Sequence, residues 1–316
     1  MTLSVSIVIP CLDDRELLTA NLPALFKELD KRAAGDEVVL VDDTGEKLLA
    51  DWAKSKFPKC RVVSQAKNAG FAKALRRGVD AAKNDLVFCM NPDVRVHLGF
   101  LAPLVECMGE SDVFAVAPKV LLDGDPVVES ITQLTYTNGA VNLVQPGLDS
   151  ERARESKAVR PVVFAVGGTC LISKSEFLAM GGMDELYEPF YLEDLDLCFR
   201  AWLQGKRVLY QPASVVEHHH RGTIGKLVEP EFVRAIIEKN RLLFQWRFLD
   251  EPELIEEHIG DLYRRATDAW LGDQREELVW IHLALDQMKA ALAARKGAGK
   301  RKLSFRDVLK ASSAPA

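Results

Sequence analysis

The cysteines of this 316-residue chain follow no recognisable pattern. There are six, each standing alone, and no two have the CxxC spacing that is typical of zinc and redox sites. They are Cys11, Cys60, Cys89, Cys107, Cys170 and Cys198. A small secreted domain needs a dense disulfide framework, which this pattern excludes, so we expect a protein of the reducing cytoplasm.

Long apolar runs are also missing. The first ten residues have no basic segment before their short apolar stretch, so we expect no signal peptide. Nowhere do about 18 apolar residues follow one another, the minimum for a helix that crosses a bilayer. We therefore expect a cytoplasmic protein, whose only membrane contact would be peripheral, on the inner face of the cytoplasmic membrane.

Positive charge is not in excess. The chain has 41 Lys and Arg against 46 Asp and Glu, a net charge of -5, which disfavours nucleic acid as a partner. With 48% hydrophobic and 28% charged residues, wholesale disorder is excluded and a globule with a large core is predicted.

Two glycine-rich phosphate-binding motifs are absent. The sequence has neither the GxGxxG of dinucleotide-binding domains nor the GxxxxGK[ST] of P-loop proteins. The first predicted strand runs instead into Pro10, Cys11, Leu12 and two aspartates. A diphosphate ligand would then need another partner, and a divalent metal is the obvious one.

What is present is an alternation of short apolar runs with helical spacing. Strands are predicted at residues 3–9, 37–41, 61–64 and 86–90, with amphipathic helices between them. Pro23 is expected to kink or restart the first helix. This rhythm predicts an α/β fold with a mostly parallel sheet and helices on both faces, in which ligands bind at the carboxyl ends of the strands.

Acidic residues follow two of these strands. Asp42 and Asp43 end the second, and Asn91-Pro92-Asp93 follows the fourth. Carboxylates in tight turns are suited to Mg²⁺ or Mn²⁺, although ordinary turns and helix N-caps use the same residues. Neither motif decides between these alternatives.

Further along, residues 190–207 predict a helix with Glu193 and Asp194 in or just before its first turn. These carboxylates are either helix caps or catalytic groups, whereas an ion pair with Arg200 suffices to explain Asp196. Of three consecutive histidines from His218, only one is expected to be a ligand, because side chains alternate along an extended chain.

Taken in order, these motifs resemble glycosyltransferase family 2, inverting enzymes of the GT-A fold, and most of all its rhamnosyltransferase-like branch. The succession is PCLDD, VVLVDD, NAGFAKALRRGVDAA, LVFCMNPDV, GGTCLIS, FYLEDLDLCFRAWLQGK and VVEHHHRG, and the resemblance covers residues 3–246. It implies a GT-A-like nucleotide-binding sheet at residues 1–228, with a nucleotide-sugar half (1–118) and an acceptor half (119–228).

The resemblance also implies roles for single residues. Asp93 and His218 would bind a divalent metal, Mn²⁺ or Mg²⁺, and Asp194 would be the general base. The residues implied in donor binding are Pro10, Cys11, Asp42 or Asp43, Asn68, Gly70, Asn91, Gly167, Gly168 and Arg221. Asn91 departs from the family, since many members have Asp there; one charge fewer implies weaker metal binding or more reliance on Asp93 and His218.

The activity implied is transfer of a sugar from a UDP- or dTDP-sugar, dTDP-rhamnose included, to a hydroxyl of a glycan or lipid-linked acceptor in polysaccharide and cell-envelope biosynthesis. Two alternatives are a nucleotidyltransferase that makes sugar nucleotides and a non-catalytic binding or scaffold protein. The first usually has a glycine-rich basic loop after strand one, which is absent here. The second is motivated by Asn91 and the helical C-terminus.

Beyond the resemblance, residues 229–295 predict a C-terminal helical appendage and residues 296–316 a basic, flexible tail. Packing on the catalytic domain is the default for these helices. A heptad-like seam indicates that these helices could instead form a homodimer. A basic cluster indicates a contact with anionic lipid. The seam comprises Leu278, Ile281, Leu285, Met288 and Leu292; the cluster comprises Lys296, Lys300, Arg301 and Lys302.

Overall fold

The structure is a computed structural model that describes residues 3–32, 34–122, 127–219, 229–297 and 301–314. Its strands are β1 Val5–Cys11, β2 Glu37–Asp42, β3 Cys60–Ser64, β4 Leu86–Met90, β5 Val94–Val96, β6 Val113–Leu122, β7 Gln133–Thr137, β8 Ala140–Val144, β9 Arg160–Pro161, β10 Thr169–Ser173 and β11 Arg207–His218. Its α-helices are α1 Arg15–Arg32, α2 Leu49–Lys56, α3 Phe71–Ala81, α4 Leu101–Cys107, α5 Pro146–Asp149, α6 Glu151–Arg154, α7 Lys174–Ala179, α8 Glu193–Leu203, α9 Pro230–Phe248, α10 Pro252–Leu271, α11 Val279–Asp286, α12 Met288–Lys296 and α13 Phe305–Ser312.

Most strands form one large sheet in the order β3-β2-β1-β4-β10-β6-β11-β5, with β9 paired to β11. Strands β3, β2, β1 and β4 are parallel to one another. Strand β10 runs antiparallel between β4 and β6, and β11 is parallel to β6. Helices cover both faces, since α1 packs on one hydrophobic cluster and α3 on the other. The predicted α/β class, with helices on both faces of a large sheet, is confirmed. Of the eight strand pairings described in this sheet, four are parallel and four are antiparallel.

The first helix does not restart at Pro23, because α1 continues through it. A proline inside a helix costs about 3 kcal/mol through its missing N–H and its clash with the preceding turn. Leu18, Leu22 and Leu25 are fully buried against the sheet on either side of the proline. Packing of these leucines against the sheet stabilises the helix across the hydrogen bond that Pro23 cannot form.

Strands β7 and β8 form a separate two-stranded sheet. Asn138-Gly139 turns this hairpin with both residues at positive φ, as a two-residue hairpin turn requires. In the large sheet, β10 begins directly after Gly167-Gly168.

The helical C-terminus packs into the same hydrophobic core as the sheet. The rings of Phe244 and Phe248 on α9 lie 5.0 and 4.9 Å from that of Phe199 on α8. Phe305 of α13 completes the group at 5.3 Å from Phe199. No helix among the described residues has the length and apolar composition needed to span a membrane.

The prediction of a flexible tail is wrong for residues 301–314. Helix α13 starts with a capping box between Ser304 and Asp307, and Phe305 is completely buried. Arg301 of the basic cluster forms an ion pair with Asp250 at 2.9 Å, and Lys300 lies outside the described residues. A buried aromatic residue and a satisfied cap outweigh the polar composition that suggested disorder.

The heptad-like seam is not a continuous helical face. Helices α11 and α12 are separated at Gln287, and the leucines at 285 and 292 are about half exposed. Trp280, Ala284 and Ala291 are the buried residues instead. The homodimer stays a prediction without this seam as its support.

Burial of Phe305 makes the C-terminal helix part of the fold. We expect Phe305→Ala to lower the free energy of unfolding by about 3–5 kcal/mol, the usual cost of removing a buried aromatic side chain. Chemical denaturation measures this. The matched control is Phe232→Ala, since Phe232 is 48% exposed and should cost far less. Equal effects of the two substitutions would contradict the packing of α13.

Candidate functional site

The two predicted acidic motifs meet at the carboxyl edge of the parallel strands. Cys11 at the end of β1 is in register with Asp42 at the end of β2, and its carbonyl accepts a hydrogen bond from Asp43 N at 2.9 Å. Pro10 and Cys11 are both buried, and the Cys11 thiol donates to Ile9 O. The lining of a base pocket by Pro10 and Cys11 therefore stays a prediction.

The side-chain oxygens of Asp42 accept hydrogen bonds from residues that follow it closely in the chain. Its Oδ1 accepts from the amide and hydroxyl of Thr44 at 3.1 and 2.6 Å, and its Oδ2 accepts from Leu49 N at 2.9 Å, at the start of α2. The side chain is fully buried. Of the alternatives left open for Asp42, the turn and helix-capping role is the one that the hydrogen bonds describe.

Asp43 organises the next loop. Its oxygens accept from Gln65 Nε2 at 3.0 Å, Ala69 N at 2.9 Å and Gly70 N at 3.0 Å. Gly70 has a φ of +83° before α3, and it also donates to the exposed Asn68. The structure thus brings together Asp43, Asn68 and Gly70, three residues predicted to frame one pocket.

Asp93 and His218 form the candidate metal-binding pair. His218 Nε2 lies 3.3 Å from Asp93 Oδ1, and its Nδ1 lies 3.3 Å from Glu129 Oε2. Burial opposes the charge on His218, but the two carboxylates outweigh it and raise its pKa to about 9. These contacts come from β11, from the turn after β4 and from residue 129, which are far apart in sequence.

Asp93 Oδ1 is buried and accepts no well-formed hydrogen bond within the described part of the chain. A buried oxygen of this kind fits a cation. Among the same residues, no three His, Cys, Asp or Glu side chains converge as a complete metal cage. One carboxylate and one imidazole are nevertheless the partial set expected where substrate phosphates supply the remaining ligands.

Gly168 supports the Asn91-Pro92-Asp93 turn from the neighbouring strand. Asn91 N donates to Gly168 O at 2.8 Å. A Cβ on Gly168 would lie 2.3 Å from Asn91 Cγ, so only glycine fits there. The double glycine therefore marks a close approach, as its sequence suggests, and the partner is the Asn91 side chain.

Asp194 lies in the first turn of α8, next to the other glycine. Its Oδ2 accepts from Gly167 N at 3.1 Å and its Oδ1 from Leu195 N at 2.8 Å. Burial raises the pKa of Asp194, these amides lower it, and the negative charge of Glu129 raises it again. The net direction is upward, which brings this carboxyl nearer to neutral pH than an ordinary aspartate.

The neighbouring Glu193 has a different environment. Burial and repulsion by Asp194 raise the pKa of Glu193, and its Oε2 has no partner in the described residues.

Asp196 forms the predicted ion pair with Arg200 at 2.7 Å and also contacts Arg247 at 2.8 Å. Asp196 is therefore structural.

Contacts between residues distant in sequence join these parts into one site. Asp194 touches Gly167, the adjacent Gly168 touches Asn91, and Asp93 follows two residues later. Glu129 contacts His218 and influences the pKa of Asp194. Asp194 is thus linked to the turn that carries Asp93 through Gly167-Gly168 and Asn91.

Sequence reasoning missed two acids of this site. Glu129 lies in an irregular stretch with no motif, and only the fold brings it to His218. Asp14 was visible in PCLDD but received no role; burial raises its pKa and so does the charge of Asp93. Arg221 and His220 lie outside the described residues. The ring of His219 contacts Glu217 at 3.5 Å, and its backbone N donates to Asp93 O at 3.0 Å.

Comparison with known proteins identifies the family. The Glycosyl transferase family 2 model matches residues 6–176, more than half of the chain. The chain belongs to glycosyl transferase family 2. Polypeptide N-acetylgalactosaminyltransferase 5 of Mus musculus is 26% identical over 256 residues, 77% of this chain and 27% of that protein. The chain thus spans about a quarter of that relative and less than half of the rat N-acetylgalactosaminyltransferase 13, which is 24% identical over 73% of this chain.

Solved structures confirm the GT-A-like fold. GalNAc-T7, solved with UDP, GalNAc and Mn²⁺, has a TM-score of 0.67 at 17% identity, covering 98% of this chain and 56% of that one. A mannosyltransferase from Pyrobaculum calidifontis, in complex with GDP-Man and Mn²⁺, has a TM-score of 0.53 at 19% identity, covering 94% and 76%. TarS of S. aureus has a TM-score of 0.55 at 13% identity, covering 94% and 88%.

The contact between Gly168 and Asn91 yields a test of the metal site. Gly168→Ala must displace the Asn91 side chain, which lies two residues before Asp93 in the same turn. We expect the Mn²⁺-dependent affinity for UDP to fall about 10- to 100-fold, as when support of a metal ligand is lost. Calorimetric titration of UDP with and without Mn²⁺ measures it.

The matched control is Gly260→Ala on α10, where an added Cβ meets no atom within 4 Å. Unchanged Mn²⁺-dependent affinity in Gly168→Ala would contradict the support that Gly168 gives to the turn.

Proposed function

We propose that this protein transfers a sugar from a nucleoside-diphosphate donor to an acceptor hydroxyl by a single, inverting displacement. The observation that carries the proposal is the chain of contacts that links Asp194, through Gly167-Gly168 and Asn91, to the turn with Asp93, which contacts His218. One site then holds a carboxylate for the incoming hydroxyl and a pair for the cation of the departing diphosphate. Membership of glycosyl transferase family 2 supports this reading.

Asp194 is the proposed general base. An alcohol is a poor nucleophile, and a carboxylate within hydrogen-bond reach removes its proton as the new C–O bond forms. The raised pKa of Asp194 suits it to that task near neutral pH. Glu193 is not a second flanking acid, because adjacent carboxylates do not provide the roughly 5–9.5 Å separation of glycoside hydrolases.

Asp93 and His218 are the residues proposed to hold Mn²⁺ or Mg²⁺. A bound divalent cation supplies positive charge that stabilises the diphosphate leaving group. The buried oxygen of Asp93 supports this assignment, as does the Mn²⁺ with which GalNAc-T7 and the Pyrobaculum calidifontis mannosyltransferase were solved. Asn91 acts through its packing on Gly168 and through the position it gives to Asp93.

For the donor we propose a UDP-sugar, bound at the edge formed by β1, β2 and the loop that Asp43 holds. The support is that GalNAc-T7 was solved with UDP and that several relatives are named N-acetylgalactosaminyltransferases. A dTDP-sugar, dTDP-rhamnose included, is the predicted alternative. Arg221 keeps its predicted role at the phosphate as a proposal.

For the acceptor we propose a glycan or lipid-linked hydroxyl, reached by a cytoplasmic protein at or near the membrane surface. The exposed face of α10 carries Tyr263, Trp270 and Leu271, at 65–77% exposure, which is compatible with a peripheral contact.

A panel of sugar nucleotides tests the proposal. The protein is incubated with Mn²⁺ and UDP-GalNAc, UDP-GlcNAc, GDP-mannose or dTDP-rhamnose, and release of the nucleoside diphosphate is followed with and without glycan acceptors. Release from one donor supports the transferase. Turnover that depends on pyrophosphate would instead indicate a nucleotidyltransferase, and binding without turnover a scaffold protein.

The role of Asp194 predicts a selective loss. Asp194→Asn should lower kcat by on the order of 10²–10⁴-fold with donor affinity nearly unchanged, because only the proton acceptor is removed. Initial rates with the donor found in the panel and calorimetry with UDP measure the two quantities. Asp80→Asn on α3, a half-exposed aspartate, is the matched control. Wild-type kcat in Asp194→Asn would reject Asp194 as the base.

The role of Asp93 predicts a loss in binding. In Asp93→Ala the affinity for UDP should become independent of Mn²⁺, since the carboxylate that meets the cation is gone. Calorimetric titration of UDP with and without Mn²⁺ measures this affinity. The matched control is Glu217→Ala, which removes a partly buried acid from the same strand as His218. Persistence of the Mn²⁺ effect in Asp93→Ala would overturn the metal assignment.

A further inference from the structure

The loop before the proposed base has an unfavourable backbone. Tyr191 and Leu192 both have positive φ, +71° and +72°, although neither is glycine. Such residues are strained and persist only where surrounding structure imposes them. Leu192 immediately precedes α8, and its carbonyl accepts the first helical hydrogen bond from Asp196 N at 2.9 Å. The direction of Asp194 therefore depends on what holds this loop.

The loop is held by helix α9 of the C-terminal region. The side-chain amide of Asn240 donates to three loop carbonyls, Tyr187 O at 2.9 Å, Phe190 O at 2.9 Å and Tyr191 O at 2.8 Å. Asn240 is completely buried. The adjacent Lys239, 1% exposed, donates to Glu188 O at 2.7 Å.

We propose that Asn240 is a positioning residue for the reaction, which holds the loop at 187–191 so that Asp194 faces the acceptor. The inference rests on the proposed function, in which Asp194 is the base. It also gives the C-terminal helices a part in the chemistry, which no motif of the sequence indicates.

The physical reason is that Asn240 Nδ2 is the α9 group that reaches these three carbonyls, since Lys239 of the same helix reaches Glu188 O instead. Without the Asn240 amide, three carbonyls lose a buried donor, and the two residues with positive φ relax toward ordinary backbone angles. The start of α8 then shifts, and a displacement of about 1 Å at a reacting group costs on the order of 10²-fold in rate. The metal pair and the loop that Asp43 holds lie on other elements, so donor binding is kept.

Asn240→Ala tests the proposal against Gln245→Ala. Gln245 lies on the same helix and is 1% exposed, and its amide bonds Gly139 O and Val141 N of the β7–β8 hairpin, not the base loop. Both variants therefore lose buried hydrogen bonds of α9. We measure melting temperature, UDP affinity with Mn²⁺, and kcat with the donor that the wild-type protein turns over.

We expect kcat to fall about 10- to 100-fold in Asn240→Ala with UDP affinity unchanged. Gln245→Ala should lower the melting temperature but keep the wild-type kcat. The acidic limb of the kcat profile should also move to lower pH in Asn240→Ala, because a loosened loop admits water to Asp194. If Asn240 had only a structural role, the acidic limb of the kcat profile would stay at the wild-type pH in Asn240→Ala.

Equal kcat and equal pH profiles in the two variants would overturn the proposal, whatever their stabilities. If Asn240→Ala does not fold, Asn240→Leu keeps the volume without the donor and carries the same comparison. Wild-type kcat in Asp194→Asn would instead remove the proposed function itself, so the two failures are distinguishable.

Discussion

The arrangement of the site depends on one close approach between neighbouring antiparallel strands. Gly168, just before β10, meets Asn91, just after β4, with a backbone hydrogen bond and no room for a Cβ. The positions of Asp93 and Asp194 both depend on this contact. On one side the turn carries Asp93 to His218, and on the other Gly167 binds Asp194. A larger side chain at position 168 would separate the metal pair from the base.

The concentration of carboxylates around this contact sets the protonation of its members. Asp93 and Glu129 stabilise the charged form of His218. Burial raises the pKa of Glu193 and Asp194, as does repulsion by Asp194 on Glu193 and by Glu129 on Asp194. Uncompensated acids are costly in the absence of a cation. The negative charges become favourable once a divalent ion occupies the site, and His218 would then give up its proton to bind that ion.

The C-terminal helices belong to this arrangement. Their aromatic residues share a cluster with Phe199 of α8, the helix that begins with the proposed base. Asn240 then ties the loop before α8 to α9, and Arg247 pairs with Asp196 in the first turn of the helix. The region matched by the family model ends at residue 176, before α8 and α9, so the family comparison alone does not describe these ties.

The sequence by itself determined the α/β class, the parallel strands with acidic ends, and the start of α8 at the Glu193-Asp194 pair, because these depend on local periodicity and strand direction. It left Asp42 and Asp43 indistinguishable, did not decide whether α1 restarts at Pro23, misplaced the flexible tail, and contained no signal for Glu129 or Asn240. Those features depend on which residues meet across long stretches of chain. Only tertiary packing decides whether a buried face carries a helix through a proline, and which carbonyls a buried amide reaches.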